Sequence, residues 1–272
     1  MRSSSPCVAA RPWLGGNWAE SEAIDTTRPW LASLQPRLDQ ALAAMDCGAS
    51  VAQALAGAAT RPSCGAPRFV PQSDLAAGEA YESFIARTAS VPTRDTLHDL
   101  FNGLVWLTQP AIKRRLNALQ AEAIARAGVG ATRGALRDAL TLFDENGAWL
   151  QAPAELAAAL RSRDWRALFI THRSLWADAR LVIVGHALLE KLATAPRKPL
   201  TAHVLLDDPL SLSADQWAAK PFCPLPVLGV PGWWPGNEAP AFCDDEAVFR
   251  PGPVAPAQAG ELQAGRKPSI DR

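Results

Sequence analysis

The chain has 272 residues, of which 48% are hydrophobic and 20% are charged, and its formal net charge at pH 7 is zero. This composition is typical of a globular protein with a substantial core and excludes a chain that is disordered throughout. No apolar run approaches the roughly 20 residues that span a bilayer, and residues 1–16 lack the apolar stretch of a secretory signal, so we expect no membrane partner.

The number and spacing of the cysteines indicate whether the protein resides in a reducing or an oxidising compartment. The chain has five, at positions 7, 47, 64, 223 and 243, and no two of them form a CxxC pair. An odd number of scattered cysteines argues against a zinc ribbon and against a disulfide framework. It agrees with the reducing cytoplasm, where we expect the protein to reside.

The charges are distributed unevenly. Residues 94–198 carry 15 Lys and Arg against 10 Asp and Glu, a net of +5, whereas residues 199–250 carry 2 against 7, a net of −5. The simpler interpretation is that the acidic segment lies against the basic one. The alternative is a nucleic-acid surface, which is not favoured because a nearly neutral domain neutralises few phosphates. Its residues would be Lys113, Arg114, Arg115, Arg126, Arg133 and Arg137.

Helical spacing predicts most of the N-terminal part. Residues 1–20 precede the first pattern, and we expect them to be flexible. Apolar residues at helical spacing predict helices in residues 25–45 and 50–59. A Pro- and Gly-rich connector with a short strand at residues 68–70 follows, and then a helix in residues 77–92.

The middle of the chain contains the clearest amphipathic helix. Thr96 is its predicted cap, and the apolar residues that follow it at i, i+4, i+7 and i+8 form one buried stripe. Pro110 begins the next helix, a position that proline favours. Residues 138–152 predict a β-hairpin with a polar turn at "DENG".

The C-terminal part mixes predicted helices and strands. We expect helices at residues 153–164 and 177–193, the second deeply buried, and a strand at residues 199–206. Residues 221–252 are so rich in proline that we expect no regular structure, yet too apolar for a free tail. They predict an extended strap packed over the domain.

The whole pattern predicts one α+β domain over residues 21–252. It should be mainly helical, with a small antiparallel hairpin or sheet and the extended Pro- and Trp-rich strap. The last stretch, residues 253–272, is predicted to be a disordered tail.

Five phrases are distinctive in their wording and order: "RFVPQSDLAAGEAYESFI", "VPTRDTLHDLFNGLVWLTQPAIKRRLNALQ", "DALTLFDENG", "GHALLEKL" and "PLPVLGVPGWWPGNEAPAF". Together they resemble the bacterial family of unknown function DUF3025 over about residues 60–252. The resemblance implies no particular reaction and no catalytic residues. The prediction of a site therefore rests on the residues themselves.

Two histidines stand on predicted helices with polar partners at helical spacing. His98 and Asn102 are four residues apart, with Asp99 beside them, and His186 and Glu190 are also four apart. Residues four apart share a helix face, so these five are the predicted catalytic residues. Of them, His98, His186 and Glu190 are the predicted ligands of a divalent metal, for which zinc, manganese or iron suits imidazole and carboxylate.

The predicted turn adds two more carboxylates. Asp144 and Glu145 are adjacent in "DENG", and paired carboxylates hold divalent cations or act as acid and base. A structural interpretation stands beside this one, because "DENG" is also ordinary turn chemistry. Likewise, a His with a Glu at i+4 is often an ion pair that contributes only about 0.2–0.5 kcal/mol.

Two classes of function remain. The sequence has no GxSxG motif for a serine nucleophile and no P-loop for a nucleotide phosphate. The two histidine-bearing helices therefore predict a hydrolase-like enzyme with a metal or acid/base site. The alternative is a non-enzymatic binding or scaffold protein that presents Trp233 and Trp234 of the strap, or the Arg-rich helices.

Overall fold

The structure is a computed structural model that describes residues 24–59, 67–128 and 134–252. The predictions of a flexible segment at residues 1–20 and of a disordered tail at residues 253–272 lie outside the described residues. So does most of the connector before the first strand. Among the described residues, no helix is long and apolar enough to cross a membrane.

Helices dominate the described residues. The α-helices are α1 Arg37–Asp46, α2 Val51–Ala58, α3 Tyr81–Thr88, α4 Leu97–Thr108, α5 Pro110–Ala127, α6 Gly134–Asn146, α7 Ala154–Ser162, α8 His186–Thr194 and α9 Ala214–Ala218. The strands are β1 Arg68–Pro71, β2 Ser90–Thr93, β3 Gly147–Gln151, β4 Arg180–Ile183, β5 Thr201–Leu205 and β6 Cys223–Pro226. The prediction of a mainly helical α+β domain is confirmed.

The strands form two small sheets. β1 and β2 pair in parallel, and the larger sheet has the order β4-β3-β5-β6. In the larger sheet β3 pairs antiparallel with β4 and parallel with β5, and β5 pairs antiparallel with β6. β3 is therefore central, and the chain enters it directly from the end of α6.

Helix α4 lies in the core. Its residues Leu100, Phe101, Leu104 and Val105 are fully buried, and each such side chain stabilises the fold by about 1.5–3 kcal/mol. At Gly103 a Cβ would lie 2.2 Å from a methyl carbon of Leu55 in α2, so any larger residue there would require that leucine side chain to move. The predicted cap and the predicted start at Pro110 are both observed.

The predicted hairpin at residues 138–152 is wrong in its first half. These residues continue α6 to Asn146, because Ala139, Leu140 and Phe143 lie on one buried face of a helix. Only the second half is a strand, β3. At Gly147 a Cβ would lie 2.3 Å from the carbonyl oxygen of Phe143, so glycine permits the abrupt passage from helix to strand.

The predicted buried helix at residues 177–193 is also wrong in its first half. Residues 180–183 form β4, because their β-branched and apolar side chains pair with β3, and the helix begins only at His186. Gly185 separates the two elements. A Cβ there would lie 2.6 Å from the Asn146 Cα, so α8 begins in main-chain contact with the junction of α6 and β3.

The strap, residues 221–252, contains regular structure, and the expectation that it has none is wrong. Residues 223–226 form β6, where Pro224 and Pro226 are tolerated because they lie on an edge strand. Three 3-10 helices follow, at Val227–Gly229, Pro235–Glu238 and Pro240–Asp244. Its buried apolar residues are Leu225, Val227, Leu228, Val230 and Phe249.

The acidic strap contacts the basic middle of the chain through ion pairs. Arg166 bonds Asp244 at 2.8 Å, Arg173 bonds Glu238 at 2.6 Å, and Lys198 bonds Asp245 at 3.1 Å. These exposed pairs are each worth about 0–1 kcal/mol, so burial of apolar side chains holds the strap in place more strongly than charge does.

Candidate metal centre

His98 lies in the first turn of α4. The Thr96 hydroxyl accepts a hydrogen bond from the Asp99 backbone N–H at 3.2 Å, which fixes the start of the helix. The His98 side chain is 33% exposed, so one side of the imidazole faces solvent. The other side faces α8.

His186 is the first residue of α8 and is only 4% exposed. Its Nε2 lies 3.0 Å from the Nε2 of His98, and the two rings meet edge to face at 72°. The structure therefore brings together the two histidines that the sequence singled out. Their convergence depends on α8 packing beside α4.

Two glutamates approach this pair from different sides. Glu190, one turn along α8 from His186, lies with Oε2 3.1 Å from the Nδ1 of His98. Glu145, in the last turn of α6, lies with Oε2 3.6 Å from the Nε2 of His186. His98, Glu145 and His186 each offer one ligand atom, and these atoms all lie within 4.8 Å of one another. The compact set thus contains Glu145 in the place that the sequence assigned to Glu190.

A buried polar network lies behind His186. Asp144 places Oδ2 3.7 Å from the Nδ1 of His186, and its other oxygen accepts from the Nζ of Lys113 at 2.5 Å. Lys113 is 3% exposed and also donates to the Asn102 side-chain oxygen at 2.8 Å. Asn102 in turn donates to the Tyr81 hydroxyl at 2.9 Å. Five helices, α3, α4, α5, α6 and α8, thereby share one chain of polar contacts.

The surroundings shift the pKa of each central group. Burial lowers the pKa of His186 to about 4, against the attraction of Asp144. The hydrogen bond with Glu190 raises the pKa of His98 above its usual range. Burial raises the pKa of Glu145, and the nearby charge of Asp144 acts in the same direction. Burial also opposes ionisation of Asp144, but Lys113 and the two histidines outweigh it and lower that pKa.

The remaining predicted site residues lie beside the cluster and contact other groups. Both carboxylate oxygens of Asp99 accept hydrogen bonds from the guanidinium of Arg94, at 2.9 and 3.1 Å. Asn102 is occupied by Lys113 and Tyr81. Asp99 therefore ties the start of α4 to the preceding loop, and Asn102 orients Lys113.

The predictions were wrong about the secondary structure of Glu145 and about the exposure of Lys113. Glu145 was singled out as part of a turn, but it lies on a helix, and the helical spacing of Ala139, Leu140 and Phe143 was the signal for that. Lys113 was counted in an exposed basic surface. It is buried and paired with Asp144, so it is not available to a phosphate.

The fold and the cluster define a mainly helical α+β protein with two histidines and a glutamate close enough to share one ion. A family model described as "Protein of unknown function (DUF3025)" matches residues 67–216 and 205–253, and the chain belongs to that family. No curated protein and no solved structure matches the chain.

Proposed function

We propose that the chain is a hydrolase-like enzyme whose divalent metal is held by His98, His186 and Glu145. The observation that carries the proposal is the 3.0 Å separation of the two Nε2 atoms, with Glu145 Oε2 3.6 Å from one of them. Two ligands bonded to one ion at about 2.0–2.2 Å, with angles between 90 and 120 degrees, lie about 2.8–3.8 Å apart. Both distances fall in that interval.

The charge of the cluster supports a cation. Asp144, Glu145 and Glu190 contribute three carboxylates, and Lys113 contributes one ammonium group. Lys191 adds a second positive charge that acts on Glu145, so with neutral histidines and ionised carboxylates the cluster keeps a net negative charge. Buried and half-buried charges are costly unless they are paired, and a divalent cation would compensate this negative charge.

The donor set suits catalysis as well as binding. Two histidines and one carboxylate leave a coordination position open, as in catalytic zinc sites and in some iron enzymes. A divalent metal held by these three residues would supply Lewis-acid chemistry and activate water as a nucleophile near neutral pH. The side chain of Glu145 is 35% exposed, like that of His98, so a substrate can reach the cluster from solvent.

An acid/base version uses the same residues without an ion. In that version His98, hydrogen-bonded through Nδ1 to Glu190, takes a proton from water or substrate through its Nε2. His186 then contacts His98 as a hydrogen-bond partner. Dependence of activity on added metal distinguishes the two versions.

Metal content and activity together test the proposal. The full-length protein should contain zinc, manganese or iron at one ion per chain, measured by mass spectrometry of the metals after purification without chelator. Chromogenic esters, phosphoesters and anilides should reveal a hydrolytic activity that a chelator abolishes and the metal restores. His186→Ala should lose both metal and activity, whereas His172→Ala, which changes a histidine outside the cluster, should retain them. Activity that is unchanged after complete metal removal would leave only the acid/base version.

The scaffold alternative receives less support from the structure. Trp233 is partly buried and packs against Trp30 with ring centroids 6.1 Å apart, and Trp234 is also packed against the core. Both side chains therefore serve the attachment of the strap. We propose neither a membrane nor a nucleic acid as a partner.

A further inference from the structure

The carboxylates beside His98 and His186 decide the tautomer of each imidazole. Each neutral imidazole has one N–H and one bare nitrogen, and which nitrogen carries the hydrogen is set by the partner of the other. The Nε2 atoms face each other, whereas each Nδ1 faces a carboxylate: Glu190 at 3.1 Å from His98 and Asp144 at 3.7 Å from His186.

The tautomer of His98 follows from Glu190. A carboxylate oxygen accepts hydrogen bonds and has none to donate when ionised, so the Nδ1 of His98 donates to Glu190 Oε2. The hydrogen of neutral His98 is then on Nδ1. Its Nε2 presents a lone pair toward His186.

The tautomer of His186 follows from Asp144 and Lys113. The Nδ1 of His186 is buried and makes no hydrogen bond with any residue in the described part of the chain. A bare Nδ1 would direct its lone pair at the negative Asp144, whereas an Nδ1–H is attracted to it. Lys113 donates to the other oxygen of Asp144 at 2.5 Å, which holds the carboxylate in this position. The hydrogen of neutral His186 is therefore favoured on Nδ1, and its Nε2 is bare as well.

We infer that Glu190 and Asp144 are positioning residues that set both histidines in the tautomer whose Nε2 binds metal, and that Lys113 acts through Asp144. This inference rests on the proposed metal centre and adds how that centre is oriented. Two bare nitrogens at 3.0 Å repel each other unless a cation lies between them, whereas in the ion-free protein the same separation is that of an N–H···N hydrogen bond. The four side chains thus form a pair of carboxylate–histidine units that are preorganised for one ion, in which each carboxylate raises the basicity of its ring.

Glu190→Gln is the decisive variant, because its amide keeps the shape of the side chain but removes the charge. The Glu190 side chain is 26% exposed and so reaches solvent, and we expect the substitution to leave the fold intact. Glu79→Gln is the matched control. Glu79 is 23% exposed and forms an ion pair with Arg87 on α3, away from the cluster.

Binding of Zn²⁺ and Co²⁺ to the metal-free, full-length protein provides the readout, by competition with a chromophoric chelator and by the visible spectrum of the Co²⁺ form. We expect one ion per chain in the wild type and in Glu79→Gln. In Glu190→Gln the affinity should fall about 10- to 100-fold, with an altered Co²⁺ spectrum, as for other partners of metal-bound histidines. The double variant Lys113→Met, Asp144→Asn removes both charges of this ion pair together and should weaken binding in the same way.

The outcomes separate this inference from the proposed function. If the wild type binds one ion and Glu190→Gln matches it in affinity and spectrum, the positioning role is overturned while the metal centre stands. If the wild type binds no ion at micromolar concentrations, the metal centre is overturned and the positioning role with it. Should the double variant fail to fold, the result with Glu190→Gln decides alone.

Discussion

The Nε2 atoms of His98 and His186 lie 3.0 Å apart although 88 residues separate them in the chain. One begins the helix that fills the core, and the other begins the helix that packs beside it. Because α4 and α8 pack against each other, the contact depends on the fold and not on the two side chains alone. Predictions about this part of the molecule can therefore be made with matched variants.

Lys113→Met should destabilise the protein strongly. The substitution leaves the Asp144 carboxylate, whose side chain is 24% exposed, without its ammonium partner. Removing one partner of a fully buried pair costs about 3–5 kcal/mol, so we expect a cost at the lower end of that range. Urea unfolding followed by circular dichroism measures the free energy of unfolding. Arg126→Met is the control, because Arg126 is 79% exposed and pairs with Glu122 at 3.5 Å, so its loss should cost no more than about 1 kcal/mol. Equal effects of the two substitutions would show that the Lys113 pair is not buried in solution.

The metal-free protein should lose stability in acid through His186. Its pKa is lowered by burial to about 4, whereas the unfolded chain has the ordinary value of about 6.5, so the unfolded state binds the extra proton in between. Stability is present above pH 6.5 and is lost as the pH falls toward 4, by on the order of 3 kcal/mol in all. His98 acts in the opposite sense, because its raised pKa stabilises the folded state at low pH.

Comparison with His186→Gln isolates that effect. The groups that face His186 are His98, Asp144, Glu145 and Lys113, and all of them remain in the variant. Melting temperatures of both proteins with chelator, between pH 4 and pH 7.5, should therefore diverge most at high pH and converge in acid. Parallel curves over the whole range would contradict a buried neutral imidazole at this position.

Truncation of the strap should unfold the protein. A chain that ends at Lys220 lacks β6 and the buried side chains of Leu225, Val227 and Leu228, each of which stabilises by about 1.5–3 kcal/mol. The expected result is an aggregated or unfolded product, seen by gel filtration and circular dichroism. A chain that ends at Pro253 should melt like the full-length protein. If the Lys220 truncation melts at the full-length temperature, the strap is a separate binding segment.

The protein should not bind nucleic acid in a salt-sensitive way. Phosphate contacts give an affinity that falls steeply with salt, and the predicted basic surface lost one member when Lys113 proved to be buried. Fluorescence anisotropy with a labelled DNA duplex and a labelled RNA, at about 50 and 200 mM salt, should show no binding at low micromolar protein. Tight binding that weakens with salt would revive the nucleic-acid alternative.

The start of a helix could be predicted from the sequence where a residue within its first turn marks it. Thr96 capped α4 and Pro110 began α5 as expected, because caps and first-turn prolines act within one turn of the chain. The sequence predicted that His98 and His186 meet only if their two helices pack side by side. Helical spacing shows which residues share a helix face, but not which faces contact each other. Only the packing of α8 on α4 decides that.

The errors share a physical cause. In residues 138–147 the apolar spacing fits both a strand and a helix, and a glycine beyond a polar pair resembles a hairpin turn. In residues 180–183 a strand runs into a helix through a single glycine, so the two apolar segments look continuous. Pairing with β3 selects the strand in residues 180–183, whereas burial of one helix face selects the helix in residues 138–146, and neither is a local property. Glu145 was therefore given the wrong setting and was left out of the ligand set.

The contact of Gly185 with the α6–β3 junction has a consequence for any attempt to alter the cluster. Gly185 N–H donates to the Gly147 carbonyl at 2.8 Å; Gly185 directly precedes the candidate ligand His186, and Gly147 lies two residues after the candidate ligand Glu145. The spacing between those ligands is thus fixed by main chain against main chain, with no room for even one methyl group. Ligand side chains can be exchanged on this frame to suit a different ion. A larger residue at either glycine would instead push a helix away from the junction. The distances between the ligands would then change although every ligand is still present.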